Sequence, residues 1–210
     1  MASYGLLFRV RQVQGEVELA NRALSEAERL APRAVSWVES FRTRSWLAQG
    51  DIEAAVRWAE QRGLKIDDAF FYLDETEYLT LGRVLLAQRE YDLALMLFER
   101  LRNSAETSGR IGRLVEILVL QAITLQARGD SSRALATLER AFSLAEPEGY
   151  VRTFVDEGAP IAKLLRGALS ESITPNYVAR LVGYEIDGTE PDCRALGEEG
   201  IIPVVRFETP

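Results

Sequence analysis

Apolar residues recur at helical spacing on both sides of a short polar break in the segment 81–101. The stripe after the break comprises Leu93, Ala94, Leu97, Phe98 and Leu101. This pattern predicts two amphipathic helices joined by a tight turn at 88–90. The small residues Gly82 and Ala94 predict that the two helices approach each other closely. Neither helix can bury its stripe alone, so the hairpin predicts neighbouring hairpins as well.

The same hairpin pattern recurs along the chain. A turn residue is followed five positions later by an alanine at Gly15 and Ala20, Gly50 and Ala55, Arg89 and Ala94, and Gly129 and Ala134. Successive turn residues are 35, 39 and 40 positions apart. That period is typical of solenoids built from two-helix repeats. Four copies in register predict an all-α fold of about four helical hairpins.

The apolar pattern also predicts where the helices begin and end. The four hairpins are expected at 1–30, 34–61, 74–108 and 111–146, and an aromatic-rich connector at 64–73 is expected to pack between repeats. Three further helices follow: a short one before the Gly-Ala-Pro turn at 158–160, one at 161–169, and one from Thr174 and Pro175 to 182. These would cover the open end of the solenoid. The sequence therefore predicts a helical domain at 1–182 and a non-helical tail at 183–210.

Composition narrows the possible functions. The 210 residues carry a net charge of −7, which argues against direct nucleic-acid binding by this chain. No apolar run approaches the roughly 18 residues of a membrane span, and the single cysteine, Cys193, excludes an internal disulfide. We therefore expect a cytoplasmic protein.

Catalytic chemistry is not expected. Histidine, the commonest general base and metal ligand, is absent. Carboxylate pairs occur at 67–68, 74–75 and 156–157, but neither a base nor a nucleophile accompanies them. Helix N-terminal acids explain such pairs more simply. We expect no enzyme activity, no metal and no cofactor.

The first helices of the hairpins predict a shared face. Three of the four positions that lie six residues before a turn residue are arginine: Arg9, Arg44 and Arg83. Positions at other fixed offsets extend this concave face, and the candidate binding residues are Arg9, Gln12, Trp37, Arg44, Thr76, Arg83, Glu116 and Gln126. Arginine provides a planar fork for carboxylates or hydroxyl-rich ligands, and tryptophan provides a stacking surface. Alternatively, the arginines pair with neighbouring carboxylates on a solvated surface.

Three segments resemble the tetratricopeptide-like domain of MalT-like, LuxR-type, ATP-dependent transcriptional regulators. They are Trp-Leu-Ala-Gln-Gly-Asp at 46–51 with the alanines and tryptophan that follow, Glu-Tyr-Leu-Thr-Leu-Gly-Arg-Val-Leu-Leu-Ala-Gln at 77–88, and Ala-Glu-Pro-Glu-Gly-Tyr-Val-Arg-Thr-Phe-Val-Asp-Glu-Gly at 145–158. The last is the most specific. The resemblance covers roughly 1–182 and implies a right-handed superhelix of tetratricopeptide-like hairpins with C-terminal capping helices.

The resemblance also implies a function. In that bacterial family the domain follows an ATPase module and precedes a DNA-binding helix-turn-helix, so these modules are expected partners if the chain is part of a longer regulator. The family's phosphate-binding loop does not occur here, and ATP binding is not carried over. The tail at 183–210 departs from the family pattern. We expect a domain that binds a small inducer or a partner in its concave groove; the alternative is a peptide- or protein-binding scaffold without a small-molecule ligand.

Overall fold

The residues described in a computed structural model of the protein are 7, 10–11, 14–30, 35–68 and 74–187, and within them the side chains of 27–30, 35–37 and 184–187 are left aside. This part of the chain is helical and contains no strand. The helices are α1 (Val17–Leu30), α2 (Val35–Ala48), α3 (Ile52–Arg62), α4 (Glu75–Ala87), α5 (Tyr91–Thr107), α6 (Ile111–Arg128), α7 (Ser131–Ala145), α8 (Arg152–Val155), α9 (Ala159–Ser170) and α10 (Pro175–Asp187). The predicted all-α fold of helical repeats is confirmed.

The predicted turn residues all adopt the same backbone conformation. Their φ angles are 73° at Gly15, 80° at Gly50, 64° at Arg89 and 99° at Gly129. A left-handed residue at this position closes a helix by letting the next amide bond a carbonyl in the last turn. Glu90, for example, donates its backbone N–H to the carbonyl of Leu85. The repeat register that the sequence predicts is thus the register of the hairpins α2–α3, α4–α5 and α6–α7.

Small residues do lie where helices of one hairpin approach closely. A Cβ atom placed on Gly82 of α4 would lie 2.3 Å from Cε1 of Phe98 in α5. Ala94 is fully buried in the same interface. Glycine at 82 therefore permits α4 to pack closely against the buried ring of Phe98.

Helix α6 forms the centre of the core. Every residue from 117 to 125 is buried, because α6 packs against α4, α5, α7, α8 and α9. One continuous apolar cluster extends from Tyr78 in α4 to Val182 in α10. Burial of this apolar surface provides the main driving force for folding. The last four repeat helices and the C-terminal helices therefore share one core.

The C-terminal helices attach to the repeats through three aromatic rings. Phe154 of α8 lies 5.4 Å from Phe142 of α7 and 6.0 Å from Tyr177 of α10, measured between ring centroids. The hydroxyl of Tyr177 donates to the carbonyl of Tyr150. The rings of Phe154 and Tyr177 pack edge-on, whereas those of Phe142 and Phe154 are tilted by 36°. An edge-on aromatic pair adds about 0.5–1.5 kcal/mol beyond burial. This cluster fixes α8 against the repeats.

Two predicted boundaries differ from the structure. Helix α9 begins at Ala159 rather than 161, because Pro160 occupies a first-turn position that does not need its missing N–H. Helix α10 continues past 182 to Asp187, since Gly183 costs a helix interior only about 1 kcal/mol and does not end it. The non-helical stretch thus does not begin at 183. Residues 188–210 lie outside the described part, as do residues 69–73, half of the aromatic connector predicted at 64–73.

Candidate functional site

A cavity of about 230 Å³ lies where the first helices of three hairpins meet the short helix α8. Helices α2, α4 and α6 provide nine of its lining residues, and α8 with the turn after it provides four. The lining residues are Ser40, Phe41, Arg44, Thr76, Leu79, Thr80, Arg83, Arg113, Glu116, Arg152, Thr153, Asp156 and Glu157. Four arginines thus surround a small, polar space together with three carboxylates.

Regular repeat geometry explains why these side chains meet. Arg44 and Arg83 both lie six residues before a turn residue, so α2 and α4 carry them at equivalent positions. Thr76 and Glu116 both lie thirteen residues before one. Seven residues make two helical turns, so the two sets lie on the same face of the first helices.

Arg83 lines the cavity and is only 8% exposed. Its Nη2 atom lies 2.6 Å from Oε1 of Glu157 and 3.0 Å from Oε1 of Glu116. Its Nε atom donates to Oε2 of Glu157 at 3.4 Å. The guanidinium fork therefore holds both oxygens of one carboxylate and one oxygen of another, a charge-assisted arrangement that is stronger than neutral hydrogen bonds.

Glu157 connects the C-terminal segment to two hairpins at once. Its Oε1 atom also accepts from Nη2 of Arg44 at 3.4 Å. These pairs join residues that are 74 and 113 positions apart in the chain. Its side chain is 12% exposed, so water screens the pairs only weakly.

A second set of ion pairs extends from Glu116 along the α4–α6 interface. Arg113 lies 2.6 Å from Glu116 Oε2 and 3.1 Å from Glu75 Oε2, and donates to Thr76 Oγ1 at 3.3 Å. Arg110 adds a pair to Glu75 at 2.9 Å. Glu75 is almost fully buried, so these arginines compensate the cost of burying its charge.

The network fixes the charge state of its members. Burial alone would raise the pKa of Glu116, but the positive charges of Arg83, Arg113 and Arg44 outweigh it and lower the pKa to about 2. The pKa of Glu157 is lowered from its ordinary value for the same reason, through Arg83 and Arg44. Burial opposes the charge of Arg83 as well, yet the two glutamates raise its pKa. All three groups are ionised near neutral pH.

The structure brings together four of the eight predicted site residues. Arg44, Thr76, Arg83 and Glu116 line the cavity. Gln126 is not among the lining residues, and its carbonyl accepts from Gly129 at the end of α6. Arg9 and Gln12 lie outside the described residues. Trp37 belongs to α2, but its side chain is not among those described.

The two arginines of the predicted face that the structure describes, Arg44 and Arg83, both form ion pairs within the chain. Arg44 and Arg83 do bind carboxylates, and those carboxylates come from α6 and from the turn after α8 rather than from neighbours on a solvated surface. Sequence reasoning did not include Glu157, Arg113 or Arg152 in the site. Two signals pointed to Glu157: its place in the segment 145–158, which carries the most specific resemblance, and its membership of the carboxylate pair at 156–157, which was interpreted as helix N-terminal acids.

Two further observations concern membrane-spanning helices and metal-binding groups. Within the described ranges, no helix is both long and apolar enough to cross a membrane. In the same ranges, no group of three or more side chains is placed to hold a metal ion.

Comparisons with known proteins point to one family. A family model described as a MalT-like TPR region matches residues 1–171. The chain is similar to proteins named HTH-type transcriptional regulator MalT: 23% identical over 169 residues to that of Vibrio campbellii and 26% over 176 residues to that of Cronobacter sakazakii. These matches cover 78% and 81% of this chain and 19% of each relative, so the chain spans less than a fifth of the length of the proteins it resembles. No solved structure matches.

Proposed function

The chain belongs to the MalT-like TPR region family, and we propose that it senses an effector for a transcriptional regulator by binding a small inducer in the cavity between α2, α4, α6 and α8. The relatives named as regulators support this role, and they are much longer than the chain. We further propose that the domain acts in the cytoplasm, beside ATP-binding and DNA-binding modules of a longer protein.

One observation carries the proposal: a single cavity touches three hairpins and the C-terminal segment. A ligand bound there would contact all four elements and change their relative stability. A ligand shifts a conformational equilibrium only by its difference in affinity for the two states. A site at which several elements meet provides such a difference, because movement of any of them changes the contacts.

The size of the cavity favours a small molecule over a peptide. Pockets for drug-sized ligands enclose about 300–1,000 Å³, and this one encloses about 230 Å³. An extended peptide would need a longer channel. The second candidate function, a scaffold for a partner protein, would use a more extended surface, such as the larger open groove of about 830 Å³ between α5, α6 and α7.

The test is a thermal-shift scan of the whole chain against sugars, amino acids and aromatic metabolites. A ligand present at 100 times its dissociation constant raises the free energy of unfolding by about 2.7 kcal/mol. A hit should weaken at least about tenfold in Arg44→Gln, because that arginine lines the cavity. It should persist in Arg57→Gln, because Arg57 lies on α3 away from the cavity and its side chain is 60% exposed. A hit that both variants retain would place the binding site elsewhere.

A further inference from the structure

We propose that the cavity takes a carboxylate-bearing ligand, and that Glu157 is the chain's own occupant of the carboxylate position, which the ligand must displace. This inference rests on the proposed binding function of the same cavity. It specifies the ligand class and adds a competing group within the protein.

The first support is the geometry of the arginine fork. Arg83 donates hydrogen bonds to both carboxylate oxygens of Glu157, from Nη2 at 2.6 Å and from Nε at 3.4 Å. Arg44 approaches one of those oxygens at 3.4 Å from a different hairpin. Such a bidentate arrangement recognises a carboxylate by shape as well as by charge. The two arginines would present the same donors to a ligand carboxylate.

The second support is the place of Glu157 in the chain. It lies in the turn between α8, a helix of four residues, and α9. The next residue, Gly158, has a φ angle of 64°, which belongs to the region that glycine adopts most readily. Phe154 is fully buried and holds α8 in place. The Glu157 side chain can therefore leave the arginines through a local change in the turn, without detaching the helix.

The third support is the charge balance of the lining. With Glu157 in place, the four arginines face three carboxylates. When its side chain turns outward, the residues that line the cavity include four arginines and two carboxylates, those of Glu116 and Asp156. A monocarboxylate replaces the lost negative charge and a dicarboxylate adds one more, whereas a neutral ligand of the same size adds none. The rest of the chain is acidic and offers such an anion little attraction.

Displacement of Glu157 would also transmit the effect of ligand binding to the C-terminal helices. Glu157 joins the segment before α9 to α2 and α4, and an occupied cavity would break that connection. The turn would then lose its ion pairs to the first helices, while Phe154 stays packed against its aromatic neighbours. Ligand binding would thus loosen the start of α9 relative to the first helices.

The experiment is calorimetric titration of the whole chain with succinate, and with succinamide as the neutral control of the same shape. Glu157→Gln should bind succinate at least about tenfold more tightly than the unaltered chain, because an internal competitor lowers the apparent affinity by the fraction of molecules whose site is open. Glu148→Gln, an exposed change of the same kind nine residues earlier, should leave the affinity unaltered. Succinamide should bind no variant more tightly than another.

A second variant keeps the test valid if Glu157→Gln does not fold. Glu157→Asp keeps the charge but shortens the side chain, so it should compete less well for Arg83 and also tighten succinate binding. Equal succinate affinity in the unaltered chain and in both variants would overturn the displacement.

The two proposals fail separately. Binding of a neutral metabolite without any succinate binding would overturn the carboxylate inference and leave the proposed sensing function standing. Failure of every compound in the scan and of succinate would overturn both.

Discussion

At the scale of single residues, the central feature is an arginine whose charge is compensated from distant parts of the chain. Arg83 is nearly buried, and Glu116 and Glu157 share its guanidinium. Removing one member of a buried ion pair typically costs about 3–5 kcal/mol, because the remaining charge is left unpaired in a poorly solvated place. Replacing the whole set by apolar residues can be neutral. The ion pairs therefore contribute more to the choice of which helices pack together than to the net stability of the fold.

The lowered pKa of Glu116 predicts that acid destabilises the fold. In the unfolded chain this carboxyl takes up a proton near its ordinary pKa of 4.5, whereas in the folded protein it does so only near 2. Between these values the unfolded state binds more protons, so the free energy of unfolding falls as the pH falls through this window. Above about pH 4.5 the contribution is fully present.

Urea unfolding at about pH 6, 4.5 and 3 measures this loss. Glu116→Gln should reduce the slope of unfolding free energy against pH. Glu53→Gln should not, because the Glu53 side chain is 91% exposed. An unchanged slope in Glu116→Gln would show that Glu116 titrates as in the unfolded chain.

At the scale of helices and turns, the third hairpin has an unusual turn residue. Arg89 adopts a φ angle of 64° at the position where the other three turns have glycine. A side chain in the left-handed region costs about 1–2 kcal/mol. Glycine avoids that cost, but it gains about 0.4–1 kcal/mol of additional freedom in the unfolded chain. The balance favours glycine.

Exchanging the two residue types should therefore change stability in opposite directions. Arg89→Gly should raise the free energy of unfolding by roughly 0.5–1 kcal/mol, and Gly50→Arg should lower it by a similar amount. Thermal unfolding of both variants checks the signs. Arg89→Ala serves as the control for the lost charge, since it keeps a side chain in the left-handed region. If Arg89→Ala stabilises as much as Arg89→Gly, then charge rather than backbone strain explains the effect.

The hairpins could be predicted from sequence because their causes are local. Helical periodicity, the turn residue and the alanine five positions later all lie within one repeat, so α2 to α7 follow from the pattern. The same regularity placed Arg44, Thr76, Arg83 and Glu116 on one face. Glu157 was beyond this reasoning, because it belongs to no repeat. Its position depends on how α8 packs on α6 and α7, and that packing depends on Phe154 meeting Phe142 and Tyr177.

At the scale of the whole molecule, the core is divided unequally. The main cluster extends from α4 to α10. In the described residues, α1 and α2 share a small separate cluster of Ala20, Ala23, Leu24 and Val38, and a third cluster joins α3 to Val84. Repeat proteins have stabilities that add from repeat to repeat, so regions with little buried surface open more readily.

Amide hydrogen exchange should therefore be graded along the chain. Amides at 117–125 should exchange at least roughly a hundredfold more slowly than those of α1. Leu118→Ala, in the main cluster, should lower protection throughout α4–α10. Leu24→Ala, equally buried, should lower it in α1 and α2 only. Uniform protection from 17 to 187, or a global effect of Leu24→Ala, would show that the chain unfolds as one unit.

The order of synthesis determines when the contacts of Glu157 can form. Chains emerge from the ribosome with the N-terminus first, and the contacts within each hairpin can form as that hairpin appears. Arg44 and Arg83 are therefore made long before the carboxylate that binds them both. Until residue 157 leaves the exit tunnel, Arg83 can pair with Glu116 but not with Glu157. Glu157 is thus the last carboxylate of the network to be synthesised, and the ion pairs of the network can be completed only after it has emerged.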